Sequence, residues 1–89
     1  MTRYNVAPKV LRAHLEEHEV LLNPESGIYH VVNDTGRRLL GCWGDGLSLE
    51  ESVSRLAEQM GWDPAQVRAD ADGFVAAMVE RGLIEESSP

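Results

Sequence analysis

Cysteine occurs once in the 89 residues, as Cys42, so an internal disulfide framework is excluded and nothing points to an oxidising compartment. Basic side chains are scarce: eight Lys and Arg face fifteen Asp and Glu, a formal charge of −7. That balance argues against a primary role on nucleic acid or anionic lipid, because phosphate affinity comes from clustered cations that release counterions. No stretch approaches the roughly 18 apolar residues of a membrane span, and the opening MTRYNVAPKV has no apolar run of signal-peptide length. A cytoplasmic protein without a membrane partner is the expectation. Internal repeats and low-complexity tracts are also missing, and 89 residues suffice for one core, so residues 1–89 are read as a single domain.

What is present is an ordinary globular composition, 43% apolar and 26% charged. The acidity is uneven. Residues 1–33 carry three basic and four acidic groups, and residues 34–89 carry five and eleven. A ligand approaching the second part is expected to be neutral or basic there.

Two periodicities meet near Asn33. Before it the pattern is strand-like: a segment from Val6 through Val10 and Leu11 to His14, a charged turn at 16–19, and the apolar run Val20-Leu21-Leu22. Asn23-Pro24-Glu25-Ser26-Gly27 is a dense turn signal, with Pro24 presetting φ and Gly27 tolerating positive φ. Ile28-Tyr29-His30-Val31-Val32 then reads as a third strand, Ile28, His30 and Val32 on one face and Tyr29 and Val31 on the other. After Asn33 three helices fit, over about 34–44, 48–60 and 64–81. Asp34 or Thr35 caps the first. Ser48 caps the second, with Glu51 completing a capping box and Gly61 closing it. Asp63 caps the third, with Pro64 in its first position and Gly82 after its end; Leu83-Ile84 return to the core and 85–89 read as a frayed tail. The expected class is α+β, a three-stranded antiparallel sheet over about 5–33 followed by three helices.

No catalytic constellation emerges. Cys42 sits between Gly41 and Trp43 on an amphipathic helix, where a small core thiol is the simpler explanation. His14 and His18 have a spacing that suits metal on a helix, but their surroundings read as strand and turn. Gly44-Asp45-Gly46 lacks the Lys-Ser/Thr of a phosphate loop. No metal, cofactor or catalytic residue is expected, and Trp43 and Trp62 are read as packing aromatics rather than partner anchors.

What the sequence does offer is a binding surface. A small sheet has open edges that can accept an added strand, and residues 28–32 are the most β-prone segment. On the third helix, Ala71, Phe74 and Met78 lie within about 40° of Val67, and Val75 and Val79 widen the apolar arc to about 120°, flanked by Arg68 and Asp72. Such a flank beside the strand would wall a groove.

The ordered set Val20 to Tyr29, the junction Val32-Asn33-Asp34-Thr35-Gly36, Asp45 to Glu51, and Asp70, Phe74 and Gly82-Leu83-Ile84 resembles the PqqD-like family, the recognition elements for ribosomally made precursor peptides. It departs in carrying Val32 where Leu is usual. The resemblance spans about residues 5–85 and implies a winged-helix-like domain that binds the leader region of a precursor as an extra strand on its third strand, beside the third helix. It implies peptide-binding residues Ile28, Tyr29, His30, Val31 and Val32 on the strand, and Arg68, Ala71, Asp72, Val75 and Val79 on the helix. The Gly27-Ile28-Tyr29-His30 strand and the end of the third helix look most like standalone elements of lasso-peptide pathways. These serve a transglutaminase-like cysteine leader peptidase, with an asparagine-synthetase-like cyclase closing the ring. The alternatives are a pyrroloquinoline-quinone-type peptide chaperone serving a radical SAM enzyme and, against the charge balance, a small winged-helix DNA-binding regulator.

Overall fold

The computed structural model describes residues 2–16 and 18–87. Its elements are β1 (Arg3–Val6), β2 (Leu11–Leu15), β3 (His18–Leu22), β4 (Tyr29–Val32), α1 (Asp34–Gly44), α2 (Leu49–Met60), α3 (Pro64–Glu80) and β5 (Ile84–Ser87). β2, β3 and β4 form the expected three-stranded antiparallel sheet, in that order, so β4 is an edge.

The strand region is more divided than its sequence suggests. The segment from Val6 to His14 is broken by a turn at Pro8-Lys9, where Val10 N–H donates to Ala7 C=O at 3.0 Å. Upstream of the break, β1 pairs antiparallel with β5, Val6 opposite Ile84 and Arg3 opposite Ser87. Residues 85–87 are therefore a paired strand and not a frayed tail; Ser88 and Pro89 lie outside the described residues. Of the charged segment 16–19, His18 and Glu19 belong to β3, and Glu16, at φ +56, makes the hairpin turn; Glu17 lies outside the described residues. Ile28 precedes β4 and belongs to the loop, its C=O accepting from Asn23 N–H at 2.8 Å.

Local chemistry fixes the helix ends. Ser48 accepts from Glu51 N–H at 3.2 Å while Glu51 accepts from Ser48 N–H at 2.9 Å, the expected capping box. Gly61, at φ +68, ends α2 in the left-handed region that a side chain would strain. Asp63 caps α3, with Pro64 in its first turn. The cap of α1 is Asn33, rather than the expected Asp34 or Thr35: its side chain accepts from Gly36 N–H at 2.8 Å. Asp34 is left free to pair with Arg37 and Arg38.

One core joins the layers. Leu21 and Val32 of the sheet meet Leu39, Leu40, Trp43, Leu56, Val67, Ala71 and Met78 of the helices, with Leu83 and Ile84 returning as expected. A fully buried side chain such as Leu39 contributes about 2–3 kcal/mol by leaving water. The outer face of the sheet is different. Strand pairing puts Leu11, Leu22 and Tyr29 in one row and Ala13, Val20 and Val31 in the next, with Leu22 and Val20 half-buried and the other four exposed. Leu11, Leu15, Tyr29 and Val31 are 57%, 60%, 63% and 49% exposed.

Candidate functional site

Alternation along β4 divides its side chains as the sequence suggests. Val32 is buried and His30 half-buried on the inner face, while Tyr29 and Val31 point outward. The inner face meets α3. The His30 ring lies edge-on to Phe74, centroids 6.5 Å apart, and Arg81 just past the helix reaches back to His30 Nδ1 at 2.8 Å. Because Arg81 can only donate, Nδ1 is the acceptor and His30 is neutral in this arrangement. Burial first, and the Arg81 charge second, hold its pKa below the ordinary imidazole value.

Beside this contact lies an open cavity of about 410 Å³. His30 and Asn33 border it from the end of β4, and Thr35 and Gly36 from the first turn of α1. Its α3 wall is Asp70, Gly73, Phe74 and Ala77, with Ala69. Phe74 is held from behind by Trp43, centroids 6.0 Å apart, and Trp43 in turn by Tyr4 of β1 at 5.4 Å. Gly36 allows the close approach of α1: a Cβ there would stand 2.7 Å from Phe74 Cε1 and 2.8 Å from Val32 Cγ1. Gly73 has the opposite character, since a Cβ there would meet nothing within 4 Å. It costs about 1 kcal/mol of helix propensity relative to Ala without any packing return, and it leaves the groove floor open.

Of the residues expected to form the site, Tyr29, His30, Val31 and Val32 share the β4 strand, with Ile28 just ahead of it. The helical set is placed elsewhere. Ala71 is fully buried in the core, and Val75 packs against it. Arg68 pairs with Asp72 and with Glu50 of α2. Asp72, with Glu86 of β5, acts on Tyr4 of β1, whose pKa is raised mainly by burial. Arg68, Asp72, Val75 and Val79 therefore form the α2/β1 flank of α3, roughly 160° around the helix from the Asp70, Gly73 and Ala77 flank that meets the cavity. The cavity beside β4 is walled by α3, on the flank opposite the one that carries Arg68, Asp72, Val75 and Val79. Small residues mark the cavity flank, and an apolar arc does not register them.

Trp43 is buried as expected, whereas Trp62 is only half-buried and borders a second cavity beyond Asp70. Burial pushes the Cys42 thiol above its ordinary pKa, which disfavours the reactive thiolate. His14 and His18 lie on paired strands with opposite facing, His14 opposite Glu19 and His18 opposite Leu15. Among the described residues no cluster of three or more His, Cys, Asp or Glu could hold a metal, and no helix is long and apolar enough to cross a membrane.

The fold as a whole is shared with known proteins. Residues 19–84 match the family model of coenzyme PQQ synthesis protein D, PqqD. The chain belongs to the PqqD family. Among solved structures, this PqqD-family chain is similar to a protein described as lasso peptide synthetase B1 complexed with the leader peptide: TM-score 0.83, 23% identity, covering 93% of this chain and 98% of that one. It is also similar to TbiB1 in complex with the TbiA(beta) leader peptide: TM-score 0.80, 25% identity, covering 96% and 99%. A comparison with curated proteins finds no match.

Proposed function

We propose that this PqqD-family chain is a non-catalytic adaptor. It captures the leader region of a ribosomally synthesised precursor peptide as a strand added to the free edge of β4, and holds it for a separate processing enzyme. The observation that carries this reading is the open β4 edge facing a cavity walled by Gly73, Phe74 and Ala77. Main-chain pairing along an edge supplies affinity, and alternate guest side chains enter the groove and supply selection. The two solved relatives were both captured with a leader peptide, which supports assigning the same kind of guest here.

The enzyme served is a transglutaminase-like cysteine leader peptidase of a lasso-peptide pathway, with an asparagine-synthetase-like cyclase acting afterwards. An uncovered apolar sheet face at Leu11, Leu15, Tyr29 and Val31 suits a protein partner. A guest strand on β4 would extend that same face by one row, so the peptidase would meet adaptor and leader together. The description of the family model favours a second reading with the same binding step: a peptide chaperone in pyrroloquinoline-quinone synthesis, serving a radical SAM enzyme.

Replacing Gly73 with Leu tests the groove. The new side chain enters open space and improves helix propensity, so the fold is retained while the groove is filled. Fluorescence anisotropy with the labelled leader of the precursor encoded beside this gene should show saturable binding to the wild type, weakened at least tenfold by Gly73→Leu. Equal binding by both proteins would contradict the assignment.

A further inference from the structure

The groove does not end at the tip of β4. A second cavity, about 480 Å³, shares Thr35 and Asp70 with the first and continues around the start of α1 to Trp62, Asp63 and Gln66. A guest strand pairs with the four residues of β4 over about 13 Å. Residues beyond that segment, on the side of Asn33, would be carried past Thr35 and into this second cavity.

Its chemistry differs from that of the first. The half-buried Trp62 offers an aromatic wall, and Gly61 beside it adds no side chain. Asp63 and Asp70 are the charged groups that line it, and no Lys or Arg lines either cavity. Asp63 is engaged as the cap of α3, accepting from Ala65 N–H at 3.1 Å, and Asp70 accepts from Gln66 at 2.9 Å. Each carboxylate retains acceptor capacity beyond that one bond. Arg37 and Arg38 at the start of α1 are paired with Asp34, and Arg81, on His30, stands eleven residues further along α3, about 16 Å of helix rise from Asp70. The groove is thus polarised, with its cation at one end of α3 and its carboxylates at the other.

We propose that this second cavity is a subsite for a cationic side chain of the guest peptide, a Lys or Arg lying just outside the strand-pairing segment. The aliphatic stem and charged head pack against the Trp62 ring, and the head is drawn to Asp70 and Asp63. The proposal rests on the β4 edge being the guest site. It adds a determinant that edge pairing lacks, a charge that fixes which end of the guest faces α1 and so sets its register.

The probe is the labelled leader of the precursor encoded beside this gene, in its natural form and with each Lys or Arg replaced singly by norleucine. It is titrated against the wild type, Asp70→Asn and Trp62→Leu, each checked for folding by thermal melting. One replacement should weaken binding to the wild type about tenfold. The same replacement should have little effect in Asp70→Asn, whose own affinity for the natural leader is already reduced. Raising the salt should weaken the wild type more than Asp70→Asn. A leader that binds with unchanged affinity after every replacement, or that has no Lys or Arg, overturns the subsite, as does equal affinity of Asp70→Asn and wild type. If the leader fails to bind even the wild type, the guest-strand reading falls and the subsite with it. Tight binding that Gly73→Leu abolishes and Asp70→Asn does not touch removes the subsite alone.

Discussion

Arg81 donates to His30 Nδ1 at 2.8 Å across the mouth of the groove, tying the end of α3 to the inner face of β4. This contact requires a neutral imidazole, and burial together with Arg81 lowers the His30 pKa from about 6.5. In the unfolded chain the ring takes up its proton at the ordinary value, so over the window below 6.5 the unfolded state binds more protons. Stability from this site is therefore complete above that value and declines as the pH falls through it towards the lower folded pKa. The melting temperature should drop between pH 7.5 and 5.5 more in the wild type than in His30→Asn, and NMR should show His30 titrating below the ordinary imidazole value. A His30 that titrates at or above 6.5 would refute the contact.

Two glycines of the groove should respond oppositely to alanine. Gly36→Ala forces a methyl group against Phe74 and Val32, and should cost about 1–3 kcal/mol through overpacking. Gly73→Ala meets open space and should gain up to about 1 kcal/mol from helix propensity. Thermal denaturation of the two variants, at about 4–8 °C per kcal/mol for a domain of this size, separates them clearly.

The cap of α2 supports the fold from a distance. Ser48 is fully buried, and the reciprocal bonds with Glu51 also hold that carboxyl below its ordinary pKa, chiefly through the Ser48 backbone N–H. Ser48→Ala should cost about 1 kcal/mol, seen as a lower urea midpoint with unchanged slope, and should leave leader affinity of the folded protein intact.

The apolar outer sheet face should matter to the enzyme and not to the guest. Leu15→Asp, on β2 and away from the β4 edge, should change stability by no more than roughly 0.5 kcal/mol and leave leader binding unaltered. Cleavage of the adaptor-bound leader by its peptidase should slow. Unchanged cleavage with Leu15→Asp and Val31→Asp alike would move the enzyme contact elsewhere.

The features legible in the sequence are those set by neighbouring residues. Ser48 with Glu51, Gly61, and Asp63 before Pro64 announce helix ends because capping is a contact over three or four positions. The Asn23 to Gly27 turn and the facing of His30 and Val32 are equally local. β5 could not be read: Glu85, Glu86 and Ser87 are polar and exposed, and their strand exists only because Arg3–Val6, some eighty residues earlier, lies alongside. The wall of the cavity beside β4 is hidden for a different reason. Periodicity detects apolar bulk such as Val75 and Val79, whereas that cavity is space left by Ala69, Gly73 and Ala77. Which flank of α3 faces β4 is decided by how α1 and the sheet pack, through Gly36 against Phe74.

Strand addition at β4 is most directly tested by hydrogen–deuterium exchange of the backbone amides with and without the leader peptide. The account predicts slowed exchange at Tyr29–Val32 and along the groove flank of α3, with Leu11–Leu15 at the other sheet edge unchanged. Protection at Leu11–Leu15 instead, or none at either edge in the presence of saturating leader, would contradict it.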